Sequence, residues 1–508
     1  MKFFLMSTIP AFLHKFFLRD NFPFRKLFII TLPLLATVVV IWKFFIVFQA
    51  PFRLDYAEGF IFTNTMSIFR GMPIYHSVES APYIFGFYTP LFNYIGALFF
   101  KLFCPSILVL RVISFIFYLA TGVSVGYIIK LVTKNLFAAV LSAFLFYSAF
   151  IVSQWSSIAR PDMLGIFFIS FGIAVGMTKF KKNTTRIILA AFIFSLAFFS
   201  KQSFVFAPLA FFLSSLFQNK KEAWSFAGAY AFFVVVCVGL LHIWTHGEFT
   251  RQIFVYTSLV PYGNLYTAFR IAAITGISAL PLLIIAIKKF FQDPKSFFSI
   301  YFLCSLLTFC MLLRDGGIQN YLLEFILALI LLAIVGVRWE KICTYPARRL
   351  YPLLVPVIFF FFLWSYTSFP WETKIYVTER QDVFQKEISM IKNGSKILVE
   401  DPLVAYATHS TVELDPYTYG QIADSGSISK NKLFTDVRNA KYTYIDDYGA
   451  FDRVPGFMDV VNENFRTILL LSFLKPIKPF DYSLYNRNTV TDTGTLYMYV
   501  PGKAAVDD

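Results

Sequence analysis

The sequence predicts an α-helical polytopic membrane protein with about eleven transmembrane helices and a C-terminal extracytoplasmic α/β domain. Hydrophobic residues make up 57% of the 508 residues and charged residues only 15%, and a soluble domain of this length could not cover so much apolar surface. The formal net charge is +15, but Lys and Arg occur in short clusters between apolar runs. That distribution is typical of membrane topology signals, so nucleic acid is not expected as a partner.

A transmembrane helix needs about 20 predominantly apolar residues. The apolar runs that approach this length predict spans at 27–49, 107–129, 135–153, 163–178, 187–200, 203–217, 225–244, 270–287, 297–313, 319–336 and 351–368. The runs 187–200 and 203–217 are short and flank Lys201. We therefore expect them to form a helical hairpin that carries Lys201 at its tip.

The positive charges indicate how these spans are oriented. The basic N-terminus, residues 1–26, and every second loop after it hold most of the Lys and Arg of the membrane region. The positive-inside rule then places the N-terminus in the cytoplasm, and an odd number of spans places the C-terminal residues outside. Residues 27–368 form the predicted membrane core, surrounded by membrane lipids, and a bacterial inner (plasma) membrane is the expected setting.

Two segments outside the spans have predicted structure of their own. In the outer loop 50–106, the run 91–103 follows Pro90 and predicts a helix, because proline suits the first helical turn. Its amphipathic, aromatic composition favours a helix in the membrane interface.

After the last span, residues 369–508 are richer in acids and contain β-like runs at 396–399 and 441–445 and a helix-like run at 377–392. These patterns predict a soluble α/β domain.

Three acidic residues are candidates for catalysis. Asp55 and Glu58 directly follow the first span, and Asp162 follows a later span on the same predicted face. Ionisable groups at the bilayer are costly and usually serve a function. The alternative interpretation is that these acids only begin helices, where the helix dipole favours negative charge. For Asp162 the two interpretations are compatible, because an acid at a helix start is also well fixed for catalysis.

Two cations lie on the same predicted face. Lys201 at the hairpin tip and Arg160, two residues before Asp162, suit a lipid phosphate near the headgroup plane. The alternative is that each long side chain only extends from apolar surface toward the interface. The two residues are therefore candidates for binding a donor phosphate.

Short motifs between residues 50 and 340 carry a family resemblance. They are Asp55–Gly59, Arg70–Tyr75, Ala81–Tyr83, Tyr88–Leu91, Ala159–Asp162, Ser200–Ser203 and Gly316–Glu324. Their order resembles the polytopic GT-C glycosyltransferase superfamily, which uses polyprenyl-phosphate sugars. Within it, the set is most similar to the glycosyltransferase family 39 branch of protein O-mannosyltransferases and aminoarabinose transferases.

The resemblance implies a carboxylate of the first outer loop as general base on the acceptor hydroxyl. Many relatives have an adjacent Asp-Glu pair, whereas the acids here are split, and Glu58-Gly59 fits the Glu-Gly step of the family best. Either Asp55 or Glu58 can therefore be the base, with Asp162 orienting the acceptor or helping to hold a divalent metal ion. No cofactor is certain, and the identity of any metal ligands is unknown.

The resemblance also implies a set of cavity-lining residues, for which helix packing is an equally good account. These residues are Tyr88, Asn320, Tyr321 and Glu324. The expected function is transfer of one sugar, hexose or pentose, from a polyprenyl-phosphate donor to a lipid, glycan or protein acceptor of the cell envelope on the extracytoplasmic face. The alternative functions are a polytopic transporter or lipid flippase without glycosyl transfer, and a scaffold anchored through its outer domain.

Overall fold

The computed structural model is mostly helical, and the structure describes residues 22–339, 370–439, 441–474 and 493–501. The helices of its first part are α1 Phe22–Val47, α2 Tyr56–Phe69, α3 Leu91–Leu102, α4 Ile107–Thr133, α5 Leu136–Ser148, α6 Phe150–Trp155, α7 Asp162–Met177, α8 Asn183–Ser200, α9 Phe206–Gln218, α10 Lys220–Trp244, α11 Leu265–Ser278, α12 Leu280–Gln292, α13 Phe297–Ser305 and α14 Leu323–Gly336. Short helical turns cover Glu248–Leu259, with a π-helical centre at Arg251–Tyr256, and 3₁₀ turns cover Leu306–Leu313 and Gln319–Leu322.

Four helical segments among the described residues are long and apolar enough to cross a membrane. They are Ile107–Thr133, Asn183–Ser200, Lys220–Trp244 and Gln319–Gly336. A fifth is added if α11 and α12, which meet at an angle of 80°, count as one broken span. Other predicted runs correspond to shorter apolar helices, and the candidate at 351–368 lies outside the described residues. The number of eleven spans therefore stays a prediction.

Two predicted runs are interrupted in the structure. The run 135–153 is divided into α5 and α6 at Ala149, whose backbone is extended. The run 270–287 is divided at Ala279, and Pro281 lies in the first turn of α12. Proline has no N–H to donate and favours the start of a helix, which accounts for the bend between α11 and α12.

The outer loop 50–106 contains two helices that position acidic and aromatic side chains. Helix α2 begins after Asp55, which is its N-cap residue. Helix α3 begins at Leu91, directly after Pro90 as the sequence predicts, and ends at Leu102. Its location in the membrane interface stays a prediction.

Helices α8 and α9 flank Lys201, which lies in the short turn of the predicted hairpin, and α7 packs against both α4 and α8. Gly165 lies one turn after the start of α7, and a Cβ atom there would come within 2.2 Å of the Phe204 ring. Phe204 is buried at the hairpin tip. The absence of a side chain at Gly165 therefore allows the tip, and with it Lys201, to approach the N-terminus of α7.

The C-terminal residues form a four-stranded sheet with helices around it. Its helices are α15 Pro370–Met390, α16 Pro402–Ala407, α17 Pro416–Asp424, α18 Asn431–Arg438 and α19 Phe457–Asn464, and its strands are β1 Ile397–Val399, β2 Tyr444–Asp447, β3 Phe465–Leu474 and β4 Thr493–Pro501. The strand order is β1-β2-β4-β3, with β1 parallel to β2 and the other pairs antiparallel. Strands β1 and β2 lie at the two predicted β-like runs.

The C-terminal domain is joined to the outer loop by backbone and charged contacts. Tyr83 donates its N–H to the Glu413 carbonyl at 2.6 Å and accepts from the Asp415 N–H at 3.0 Å. Arg53 pairs with the Glu400 carboxylate at 2.5 Å, and its N–H donates to Asp401 at 3.3 Å. The Tyr56 hydroxyl, in the first turn of α2, also donates to Asp415 and accepts from the Tyr417 N–H, which places the start of α17 beside the start of α2.

The contact at Gly165 gives a prediction about stability. Gly165→Ala is expected to lower the thermal unfolding midpoint in detergent, because a methyl group there forces Phe204 or α7 to shift, at a cost of about 1–3 kcal/mol. Gly228→Ala in α10 is the matched control, since no atom lies within 4 Å of the added carbon and alanine favours a helix. Equal midpoints for Gly165→Ala and wild type would show that this contact is not tightly packed.

Candidate active site

Polar residues of the outer loop, the helical core and the C-terminal domain meet around a cavity of about 460 Å³. This volume lies within the range of about 300–1,000 Å³ that is usual for small-molecule sites. The residues of sequence interest that line it are Asp55, Tyr88, Arg160, Lys201 and Tyr321. Those that do not line it are Glu58, Asp162, Asn320 and Glu324.

Asp55 is the acid of the first outer loop that lines the cavity. Its Oδ2 accepts hydrogen bonds from the Ala57 N–H at 2.9 Å and from Nη1 of Arg160 at 2.7 Å. The first bond caps helix α2, and the second is an ion pair with a largely buried guanidinium. Asp55 is therefore at once a helix cap and a fixed carboxylate in the cavity wall.

Glu58 lies behind the cavity in a buried ion pair with Arg111. Its Oε1 accepts from Nε of Arg111 and from the Ala159 N–H, both at 2.8 Å. Its Oε2 accepts from Nη2 of Arg111 at 2.8 Å and from the Leu54 N–H at 2.7 Å. Both side chains are 0% exposed. The two acids of the loop thus have different partners and do not share one site.

Arg111 also fixes the end of helix α1. Its Nη1 donates to the carbonyls of Val47 and Ala50, and its Nη2 donates to the Phe52 carbonyl at 2.7 Å. A fully buried guanidinium is costly unless all its donors are satisfied. Arg111 and Glu58 together therefore fold the segment that leads into Asp55.

Asp162 lies in the first turn of α7 and is 0% exposed. Its Oδ1 accepts from Nζ of Lys201 at 2.7 Å and from Nδ2 of Asn320 at 2.9 Å. Its Oδ2 accepts from Nε of Arg160 at 3.2 Å. Asp162 therefore sets the position of both candidate phosphate-binding cations from behind the cavity wall.

Arg160 connects the two candidate acids of the cavity region. It donates to Asp55 and Asp162 and also, from Nη2, to the Tyr88 hydroxyl at 2.5 Å. Its guanidinium lies 5.0 Å from the Trp155 ring centroid, a distance suited to a cation–π contact. Lys201 lies 4.4 Å from the centroid of the Tyr321 ring. Each cation therefore combines an acidic partner with an aromatic one.

The expectation that Asn320 and Glu324 line the cavity is not met by their positions. Asn320 is buried, and its Nδ2 donates a hydrogen bond to Oδ1 of Asp162. Glu324 accepts from the Ala207 N–H at 3.0 Å and from the Tyr301 hydroxyl at 3.4 Å, so it caps the start of α9. Both residues hold helices together, which is the helix-packing account that the sequence left open.

The loop before α14 contributes two charged residues to the cavity. Arg314 and Asp315 follow the 3₁₀ turn before α14 and line the cavity. In the part of the chain that the structure describes, the Arg314 guanidinium has no ion pair. Asp315 accepts from Nε2 of Gln421 at 2.8 Å and from Nη1 of Arg453 at 3.2 Å. The loop therefore offers the cavity one uncompensated positive charge.

The C-terminal domain contributes an acid to the opposite wall. Asp415 lines the cavity, and its Oδ1 accepts from the Tyr56 hydroxyl at 2.8 Å and from the Thr418 N–H at 3.2 Å. Burial raises the pKa of Asp415 to about 6. Nothing in the sequence indicated that this residue, 360 positions from Asp55, belongs to the same cavity.

The ligands around Asp162 decide whether this acid can help to hold a divalent metal ion. Among the described residues, no group of three or more His, Cys, Asp or Glu side chains is placed to hold a metal ion. Both oxygens of Asp162 are engaged by Lys201, Asn320 and Arg160. The arrangement around Asp162 therefore does not fit a metal-binding role for this acid.

A family model described as dolichyl-phosphate-mannose-protein mannosyltransferase matches residues 88–246. This segment contains Tyr88, Arg160, Asp162 and Lys201. No curated protein gives a significant sequence match to the chain.

Solved structures share the overall architecture at low sequence identity. ArnT from Cupriavidus metallidurans bound to undecaprenyl phosphate matches with a TM-score of 0.60 and 11% identity, over 92% of this chain and 97% of that chain. The Archaeoglobus fulgidus oligosaccharyltransferase tethered with an acceptor peptide matches with a TM-score of 0.53 and 12% identity, over 87% and 73%. AglB from the same organism, in complex with an inhibitory peptide and a dolichol-phosphate, has a TM-score of 0.52 and 12% identity, over 94% and 77%.

Identities this low establish a common fold and say nothing of substrates. The family match covers only residues 88–246, in the first half of the chain, whereas the structural matches extend over most of it. The two findings agree with the resemblance in the sequence motifs. The chain therefore shares the fold of these solved structures, and its segment 88–246 is similar to the mannosyltransferase family model.

Proposed function

We propose that this protein is a membrane glycosyltransferase that moves one sugar from a polyprenyl-phosphate donor to a hydroxyl group of a lipid, glycan or protein acceptor. The observation that carries the proposal is the cavity in which Asp55 is paired with Arg160 beside Lys201. Two solved structures of this fold contain undecaprenyl phosphate or a dolichol-phosphate. The polyprenyl phosphates bound in those two structures support a polyprenyl phosphate as the leaving group in this protein.

Asp55 is the proposed general base, because it lines the cavity while all the oxygens of Glu58 are occupied behind it. The acceptor hydroxyl gives its proton to Asp55 as its oxygen forms a bond to C1 of the sugar. The bond between C1 and the phosphate oxygen breaks, and the polyprenyl phosphate leaves with the electron pair. Glu58 is a positioning residue that holds the Asp55 segment through Arg111.

The change of charge during transfer supports Arg160 as a phosphate-side group. The donor phosphodiester carries one negative charge, and the product phosphomonoester carries close to two at pH 7, because its second pKa is about 6. Asp55 becomes neutral when it accepts the proton, so its ion pair with Arg160 weakens at the same moment. The guanidinium is thereby released toward the leaving phosphate as that group gains charge.

Asp162 and Arg314 have complementary proposed roles. Asp162 is a positioning residue, since its two oxygens hold Lys201 and Arg160 at the cavity wall. Arg314 is the proposed ligand of the resting donor phosphate, because its charge is not compensated by a described carboxylate partner. Fork-shaped guanidinium groups suit phosphate oxygens.

We also propose the sidedness that the sequence predicts. Residues 1–26 lie in the cytoplasm, residues 27–368 form the membrane core, and residues 369–508 form an extracytoplasmic domain at the inner (plasma) membrane. The contacts of the outer loop with Glu400, Asp401 and Asp415 support this arrangement, because they require the loop and the C-terminal domain to be on one side.

The first test is sugar transfer by the purified protein from a panel of polyprenyl-phosphate hexoses and pentoses. Asp55→Asn is expected to lower turnover by about 10²–10⁴-fold, the usual contribution of a general base. It also breaks a buried ion pair, but its thermal midpoint is expected to fall less than that of Glu58→Gln, because Arg160 keeps Asp162 as a charged partner and asparagine still suits the N-cap. Release of polyprenyl phosphate measures the reaction. If wild type consumes no donor but moves lipid between leaflets of a vesicle, the proposal is wrong and a flippase is supported.

Glu58→Gln separates stability from catalysis at the neighbouring acid. Removing one partner of a buried ion pair costs about 3–5 kcal/mol, so this variant is expected to unfold at a clearly lower temperature than Asp55→Asn. Thermal unfolding in the same detergent measures the difference. A Glu58→Gln protein with the midpoint of wild type and no turnover would instead identify Glu58 as the base.

Arg314→Gln tests the donor-phosphate assignment. Loss of one charged hydrogen-bond partner is expected to raise KM for the donor by about 10- to 100-fold. The donor KM of Arg314→Lys is expected to lie between that of wild type and that of Arg314→Gln. Arg251→Gln is the control, because Arg251 is exposed, pairs with Glu248 and does not line the cavity. An unchanged donor KM in Arg314→Gln would leave Arg160 and Lys201 as the phosphate ligands.

A further inference from the structure

The geometry points to a carbohydrate-binding subsite in which Asp415, Tyr417 and Gln421 of the C-terminal domain bind the hydroxyl groups of a sugar ring. These residues lie at the start of α17 and line the same cavity as Asp55. The inference rests on the proposed function and adds a substrate class and specificity residues to it. It assigns recognition of the sugar to the C-terminal domain and binding of the phosphate to the helical core.

The position of Asp415 is fixed from two sides. Its Oδ1 accepts from the Tyr56 hydroxyl and the Thr418 N–H, and the Tyr56 hydroxyl in turn accepts from the Tyr417 N–H at 3.0 Å. Tyr56 directly follows Asp55 in the chain. The carboxyl group of Asp415 is therefore oriented in the cavity wall by the residue next to the proposed base.

The other two members of the subsite are held by the core loop before α14. Gln421 donates to Asp315 at 2.8 Å, and Asp315 also pairs with Arg453. Arg453 lies 5.0 Å from the Tyr417 ring centroid, and this ring lies 5.4 Å from that of Tyr56. These contacts tie α17 to the core, so the wall it provides is built in advance of ligand binding.

The chemistry of this wall suits a polyhydroxylated ring. A carboxylate accepts hydrogen bonds from hydroxyl groups, and an amide both donates and accepts them. Tyrosine supplies an apolar face with a polar edge, which matches a sugar that has C–H faces and a hydroxyl rim. Small-molecule sites commonly combine aromatic walls with a few placed polar groups.

A sugar ring at this subsite has two sources, the sugar of the donor and a sugar of a glycan acceptor. The shared chemistry is a pyranose or furanose with neighbouring hydroxyl groups. The two sources can be distinguished because donor binding and donor hydrolysis by water need no acceptor. A substitution that weakens only acceptor binding therefore slows transfer and leaves donor binding and donor hydrolysis unchanged.

The test compares Asp415→Asn and Gln421→Ala with Asp424→Asn, an exposed acid at the far end of the same helix. The probes are undecaprenyl phosphate alone and undecaprenyl-phosphate hexoses and pentoses, with affinity measured on the Asp55→Asn background so that no turnover is needed. If the donor sugar occupies the subsite, Asp415→Asn weakens binding of the sugar-bearing lipid by about tenfold or more. Binding of the sugar-free lipid stays unchanged.

The second part of the test measures transfer and donor hydrolysis for the same substitutions in the otherwise wild-type protein. If an acceptor sugar occupies the subsite, KM for a glycan acceptor rises by about tenfold while donor affinity and donor hydrolysis are unchanged. The inference is overturned if every folded variant keeps both affinities and both KM values, or if Asp424→Asn has the same effect as Asp415→Asn. A protein that binds the sugar-bearing lipid through Asp415 but transfers nothing would contradict the proposed function and keep the subsite.

Discussion

The buried ion pair between Arg160 and Asp55 is the interaction on which the site depends. Two buried charges are tolerated only when each is paired and its other polar atoms are satisfied. Arg160 meets this requirement through Asp55, Asp162 and Tyr88, and Asp162 meets it through Lys201 as well. One network of charged hydrogen bonds therefore joins the outer loop, the start of α7 and the turn between α8 and α9.

The same principle separates the two acids of the outer loop. Asp55 and Glu58 are only three positions apart, yet one faces a cavity and the other is enclosed with Arg111. An extended N-cap residue and a residue in the first helical turn direct their side chains differently, and the partner that each meets then decides its chemistry. Spacing alone could not make this distinction, because the partners are 53 and 105 positions away.

Local features of the fold were predictable, and distant contacts were not. Apolar runs predicted most helices, Pro90 predicted the start of α3, and the short runs around Lys201 predicted the hairpin. Pro281 in the sequence indicates the bend at Ala279, but a prediction of spans from the length of apolar runs does not take proline into account. The pairing of Arg111 with Glu58 was not predicted, because it is made by tertiary packing between residues 53 positions apart. The contribution of Asp415 to the cavity follows from how the two domains dock.

Docking of the C-terminal domain has a consequence for how the cavity works. Arg53, Tyr56 and Tyr83, all from the outer loop, each bond to that domain, so a displacement of the domain would be transmitted to the segment that carries Asp55. Charged hydrogen bonds at partly buried positions are strong and directional, and they hold this segment from the side opposite to Arg111. The segment that carries the proposed base is thus fixed by contacts on two sides. Arg111 of the helical core binds it on one side and residues of the C-terminal domain bind it on the other, and these partners all lie outside the motif Asp55–Gly59.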